Sequence, residues 1–134
     1  MTRVNSIRKG KHGEREAAKY LRSLGFDCRR GQQHAGGPES PDVVGIPGIH
    51  IEVKFGVKGM DLGTMLHGDA ISQSKREAGD DESWCVLWKR PHTRQWLLTV
   101  GLDDFVTTTT ATLSSDEEIM RWLEYNAKVT HEPQ

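Results

Sequence analysis

Apolar and polar residues alternate along the chain in two periods, and the switches between them mark the elements. Ala17, Ala18, Leu21 and Leu24 recur at helical spacing and predict a first helix over Ser6–Leu24, ended by Gly25. Phe26–Arg30 reads as a short strand. Gly31–Ser40, with three glycines and Pro38, reads as a loop. Two strands are expected at Asp42–Ile46 and Ile49–Phe55, hinged on Pro47–Gly48. Leu62–Ala78 predicts a second helix, stopped by Gly79, Asp80 and Asp81. Trp84–Lys89 and Gln95–Val100 predict a hairpin, and the threonine tract Thr107–Thr112 a loop or an edge strand. Ser115 and Glu118 have capping-box spacing ahead of a last helix that buries Ile119, Trp122 and Leu123. Helix, strands, helix, strands, helix is the order of a mixed central β-sheet flanked by helices, in the α/β class.

The chain has 134 residues, one domain's worth, with no internal repeat and no linker that would divide it. It is 35% hydrophobic and 28% charged, and no apolar run reaches membrane-spanning length or forms a signal-peptide core, so a cytoplasmic globular protein is expected. Cys28 and Cys85 are far apart and match no metal spacing, which makes them free structural thiols. The six histidines show no zinc-ligand spacing. The net charge of −1 conceals an asymmetry. Nine of the 18 Lys/Arg fall in residues 1–35 against three acids, Glu14, Glu16 and Asp27, so that segment is expected to face a polyanion.

Candidate chemistry concentrates on Ile49–Phe55. Its strict alternation sends Ile49, Ile51, Val53 and Phe55 to one face and His50, Glu52 and Lys54 to the other. The latter face is either the solvated side of an antiparallel sheet or a place where charge is held for use. Asp42 opens the preceding strand and can be brought to Glu52 and Lys54 across the hairpin. Two carboxylates with a lysine suit a hard divalent cation and a phosphodiester: the cation lowers the pKa of its bound water, and the ammonium steadies developing charge. Register decides whether they meet. A two-residue turn at Pro47–Gly48 pairs Val43 with Glu52 and sends Asp42 to the opposite face. A three-residue loop or a bulge pairs Val44 with Glu52 and Asp42 with Lys54, on one face; the alternative is an Asp42 that swings round at the end of its strand. On the first helix Glu14 lies within about 20° of Leu21, on the buried side. Arg8, Lys11, Arg15, Lys19 and Arg22 fall within an arc of about 80°. That stripe is either a phosphate-binding face or an ordinary solvated one.

Taken in order, Lys9-Gly10-Lys11-His12-Gly13-Glu14-Arg15-Glu16, Gly25-Phe26, Arg30, Pro41-Asp42 and Glu52-Val53-Lys54 resemble the PD-(D/E)XK nuclease superfamily. Within it, the small Holliday junction resolvases of archaea and bacterial viruses are the most similar. The resemblance spans about residues 7–105 and leaves the C-terminal helix, 115–128, unmatched. It implies a restriction-endonuclease-like fold and a homodimeric, Mg²⁺-dependent endonuclease acting on branched DNA, with Mn²⁺ as a substitute and no small-molecule cofactor. Glu14, Asp42, Glu52 and Lys54 match the family's catalytic set, with Gln73 a weaker match. Glu14, Asp42, Glu52 and Val53 are the implied metal contacts. Arg8, Lys9, Lys11, Arg15, Lys19, Arg22, Arg29, Arg30 and His34 are the expected DNA contacts. Archaeal members carry a Ser-Gly pair where this chain has Gln32-Gln33-His34-Ala35-Gly36-Gly37, which puts the junction-contacting loop in question.

Trp84, Trp88 and Trp96 are expected in core or dimer packing, and Lys89, Arg90 and Arg94 at DNA or in solvent. Two other readings stay open: a nuclease of the same fold with a repair, recombination or restriction-type target, and a non-catalytic nucleic-acid-binding module. The complete set of four site residues argues against the last. A chain this short leaves little room for a base-reading element beyond the catalytic core.

Overall fold

The computed structural model describes residues 3–31, 41–56, 69–103 and 108–128, the side chains of residues 3–10, 103 and 108 excepted. It contains helices α1 (Arg3–Ser23), α2 (Asp69–Glu77) and α3 (Asp116–Asn126). The strands are β1 (Arg29–Arg30), β2 (Val43–Val44), β3 (Ile49–Phe55), β4 (Ser83–Lys89), β5 (Leu97–Asp103) and β6 (Thr108–Leu113). All six strands form one mixed sheet in the order β1-β2-β3-β4-β5-β6. Only β3 and β4 run parallel, and α2 lies in the crossover that a parallel pair requires. Residues 57–68, where the second helix was expected to begin, lie outside the described residues.

The alternation read from the sequence sorts the two faces. Ile49 and Ile51, Cys85 and Leu87, and Leu98 and Val100 share one face, where they pack with Ala17, Ala18 and Leu21 of α1 and Ile119 and Leu123 of α3. Val86, Trp88 and Leu97 lie on the other, under Ala70 and Ile71 of α2. A strand covered by helices on both sides has no solvated face. That rules out the open antiparallel reading of His50 and Glu52, which are 1% and 4% exposed. The three hairpin tryptophans are likewise buried within this chain. Trp88 donates its indole N–H to Thr99 at 3.0 Å, and Trp96 stacks on Tyr20.

The threonine tract forms an edge strand against β5, with Thr99 and Thr112 hydroxyls 2.8 Å apart. Ser115 caps α3 as expected, accepting the Glu118 N–H at 3.1 Å. The Tyr20 hydroxyl donates to Asp116 at 2.6 Å and ties α3 to α1. Among the described residues, no helix is long and apolar enough to cross a membrane.

The β2–β3 connection takes neither of the two registers considered. Ile49 N–H bonds Ile46 O at 3.2 Å, closing a turn with Pro47 and Gly48 (φ +86°) at its centre. Yet Val43 pairs with Ile51. Three residues of β2 therefore span the distance that two of β3 cover, and the surplus is a bulge at Gly45 (φ +131°). A Cβ there would lie 2.3 Å from the Asp27 carbonyl oxygen, so close approach to the chain before β1 requires glycine.

Candidate metal centre

Each candidate side chain is placed by a local feature. Asp42 stands just before β2, and its backbone N–H still donates to the Ile51 carbonyl of β3 at 3.1 Å. Its carbonyl accepts from Gly31 N–H at 2.9 Å on the β1 side. Its carboxylate takes the Val53 N–H at 2.9 Å on the β3 side. With Val43 opposite Ile51, the bulged register sets Asp42 opposite Glu52 on the same face, close enough for Asp42 to raise the Glu52 pKa. Val53, expected as a metal contact, is bound to the Asp42 carboxylate through its N–H.

Glu14 reaches this neighbourhood from α1. Gly13 lets the helix touch β3 so closely that a Cβ would fall 2.6 Å from Cβ of Phe55. Glu14 Oε2 accepts from Arg30 Nε at 2.9 Å. Burial pushes the Glu14 carboxyl above its ordinary value, and the nearby Asp42 charge adds to this while Arg30 opposes it. Arg30, expected at DNA, is therefore engaged with a site carboxylate.

Glu52 also meets residues that the sequence reading left out of the centre. His50 Nε2 stands 2.8 Å from Glu52 Oε1 and 3.9 Å from Glu77 Oε2. His50 lies two residues from Glu52 on an alternating strand, so its position on the shared face was legible. Glu77 lies one helical turn after Gln73, and Gln73 Nε2 donates to Glu77 Oε1 at 3.4 Å. The signal for Glu77 was that spacing, hidden in the charged run Lys75-Arg76-Glu77. Ligand atoms of His50, Glu52 and Glu77 all lie within 4.8 Å of one another, so this group could hold a metal ion.

Burial, above all, raises the Glu52 carboxyl to about 7; the His50 hydrogen bond opposes this, and Asp42 and Glu77 reinforce it. Burial disfavours the charged imidazole of His50, but Glu52, Glu82 and Glu77 together outweigh it and raise its pKa. Nearby negative charge thus pushes both groups upward, with burial the larger cause for Glu52. Lys54, two residues beyond Glu52 in the same alternation, is half-buried.

On α1, Lys11, Arg15, Lys19 and Arg22 are all exposed, as a phosphate-binding stripe needs. Arg22 is tethered, donating to the Cys28 carbonyl at 2.9 Å. Arg29 is exposed. The side chains of Arg8 and Lys9, and all of His34, lie outside the described residues. Comparisons with protein-family models, curated proteins and solved structures found no match.

Proposed function

We propose that this chain is a divalent-metal-dependent DNA endonuclease of restriction-endonuclease-like fold. In this reading it is a homodimer that resolves four-way junctions by paired nicks. The observation that carries it is the bulged register that sets Asp42 opposite Glu52, with Glu14 close enough to feel the Asp42 charge. Carboxylates gathered with one guanidinium and a half-buried lysine are costly unless a cation joins them. Mg²⁺ held by Asp42 and Glu52, with Glu14 beside it, would polarise a phosphodiester and activate water. Lys54 borders the reacting phosphate in this scheme and stabilises the developing negative charge. Arg30 holds Glu14 in place, and Gln73 holds Glu77.

The basic stripe of α1 supports a polyanionic substrate, since phosphate contacts position nucleic acid without reading its sequence. Branched DNA is favoured over a sequence-specific target because a two-fold dimer with one site per subunit suits two symmetric nicks. The test is incubation of the purified protein with four-way, flap and linear duplex DNA, with and without Mg²⁺. Symmetric Mg²⁺-dependent nicks in the four-way DNA are expected. Cleavage of the flap or linear DNA instead would move the target elsewhere within the same class. Binding without any cleavage would overturn the enzymatic reading in favour of a binding module.

A further inference from the structure

We propose that His50, Glu52 and Glu77 form a second cation site, selective for borderline transition-metal ions of the Co²⁺–Zn²⁺ class over Mg²⁺. It shares Glu52 with the Asp42 cluster, and it stands whether or not the chain cleaves DNA.

Among the described residues, the trio contains more acceptors than are satisfied. Glu52 Oε1 faces the His50 ring at 2.8 Å, but among the described residues Glu77 Oε2 is buried without a hydrogen-bond partner, on a side chain only 10% exposed. An orphaned carboxylate oxygen in the interior is costly, and here it points toward an imidazole nitrogen 3.9 Å away. Ligands held about 2.0–2.2 Å from a zinc-sized ion stand roughly 3.3 Å apart at tetrahedral angles. The 2.8 Å and 3.9 Å separations bracket that value, so small side-chain adjustments close the shell.

Orientation comes from the shell around the ligands. Gln73 donates to Glu77 Oε1 and leaves Oε2 to the site, which makes Gln73 a positioning residue. Ser74, fully buried one residue on, donates to the Cys85 carbonyl at 2.9 Å and anchors α2 to β4. Ligand chemistry sets the selectivity. An imidazole nitrogen favours Co²⁺, Ni²⁺ or Zn²⁺, whereas Mg²⁺ prefers oxygen ligands and retains several waters, which a pocket this buried does not offer. Three protein ligands leave a fourth position for water or an anionic oxygen.

Co²⁺ serves as the probe, added to chelator-stripped full-length protein and followed by its visible absorption. One tightly bound Co²⁺ per chain is expected to survive a large excess of Mg²⁺. In the unmutated protein the bound ion should shift the His50 imidazole resonances. Glu77→Gln should weaken Co²⁺ binding roughly tenfold or more, Gln73→Leu less so, and Asp42→Asn should leave it in place. Unshifted His50 resonances, or displacement by Mg²⁺ at comparable concentration, would overturn the site. Loss of Co²⁺ binding in Asp42→Asn but not in Glu77→Gln would place the ion on the Asp42 side. That result also overturns the second site, and it leaves the nuclease reading intact.

Discussion

At position 52 a carboxylate only 4% exposed sits among Asp42, His50 and Glu77, and the folded chain binds its proton more tightly than the unfolded chain does. The consequence for stability has a definite sign. Glu52 moves from an ordinary 4.5 to about 7, so its contribution is complete below about pH 4.5 and disappears as pH rises through about 7. Glu14 is raised in the same sense. His50, raised from 6.5, likewise contributes fully below that value and loses its contribution above it. Metal-free protein should therefore lose roughly 1 to 3 kcal/mol between pH 5 and 8 relative to Glu52→Gln. A bound cation replaces the proton and flattens the difference. Urea melts of the two proteins in a chelator, at both pH values, check this; a wild-type gain toward pH 8 would contradict it.

Among the elements, β3 was the most legible, because alternation over seven residues has one structural meaning once helices cover both faces. The β2–β3 register was not legible. It depends on a bulge at Gly45 that exists because Asp27 and Cys28 press against that backbone, a contact between segments far apart in sequence. Glu77 was missed for a related reason: its burial comes from where α2 lands on β3 and β4, not from its own neighbours. Glycine is a poor helix former, yet at position 13 it is where α1 meets Phe55. Gly13→Ala would improve helix propensity but should cost about 1 to 3 kcal/mol by overpacking, and should move Glu14 away from Asp42. A thermal melt with a raised midpoint would show that the contact is looser. On the exposed side of α1, Arg15→Ala and Lys19→Ala should each weaken binding to all DNAs alike. Each should also flatten the logarithmic salt dependence by about one unit; unchanged slopes would mean the stripe is only solvated.

For the whole molecule, the burial of Trp84, Trp88 and Trp96 removes them from any subunit interface. Tyr125 on α3, 88% exposed, and Leu102 on β5 remain as apolar surface. The proposed homodimer predicts a sedimenting species of twice the 15.1 kDa chain mass at micromolar concentration. Tyr125→Glu should weaken it if α3 contributes to the interface. A monomer both free and on junction DNA would remove the paired-nick scheme, though not the metal chemistry.

That chemistry rests on Asp42, whose carboxylate accepts the Val53 N–H and meets Glu52. Asp42→Asn keeps the size of the side chain and an oxygen able to accept the Val53 N–H, but removes the charge a divalent cation requires. The decisive measurement is cleavage of four-way DNA by this variant in Mg²⁺, alongside its affinity for the same DNA without metal. Cleavage is expected to fall at least about a thousandfold, on the order of 4 kcal/mol of barrier, with affinity nearly unchanged. Cleavage by Asp42→Asn at the wild-type rate would contradict the account.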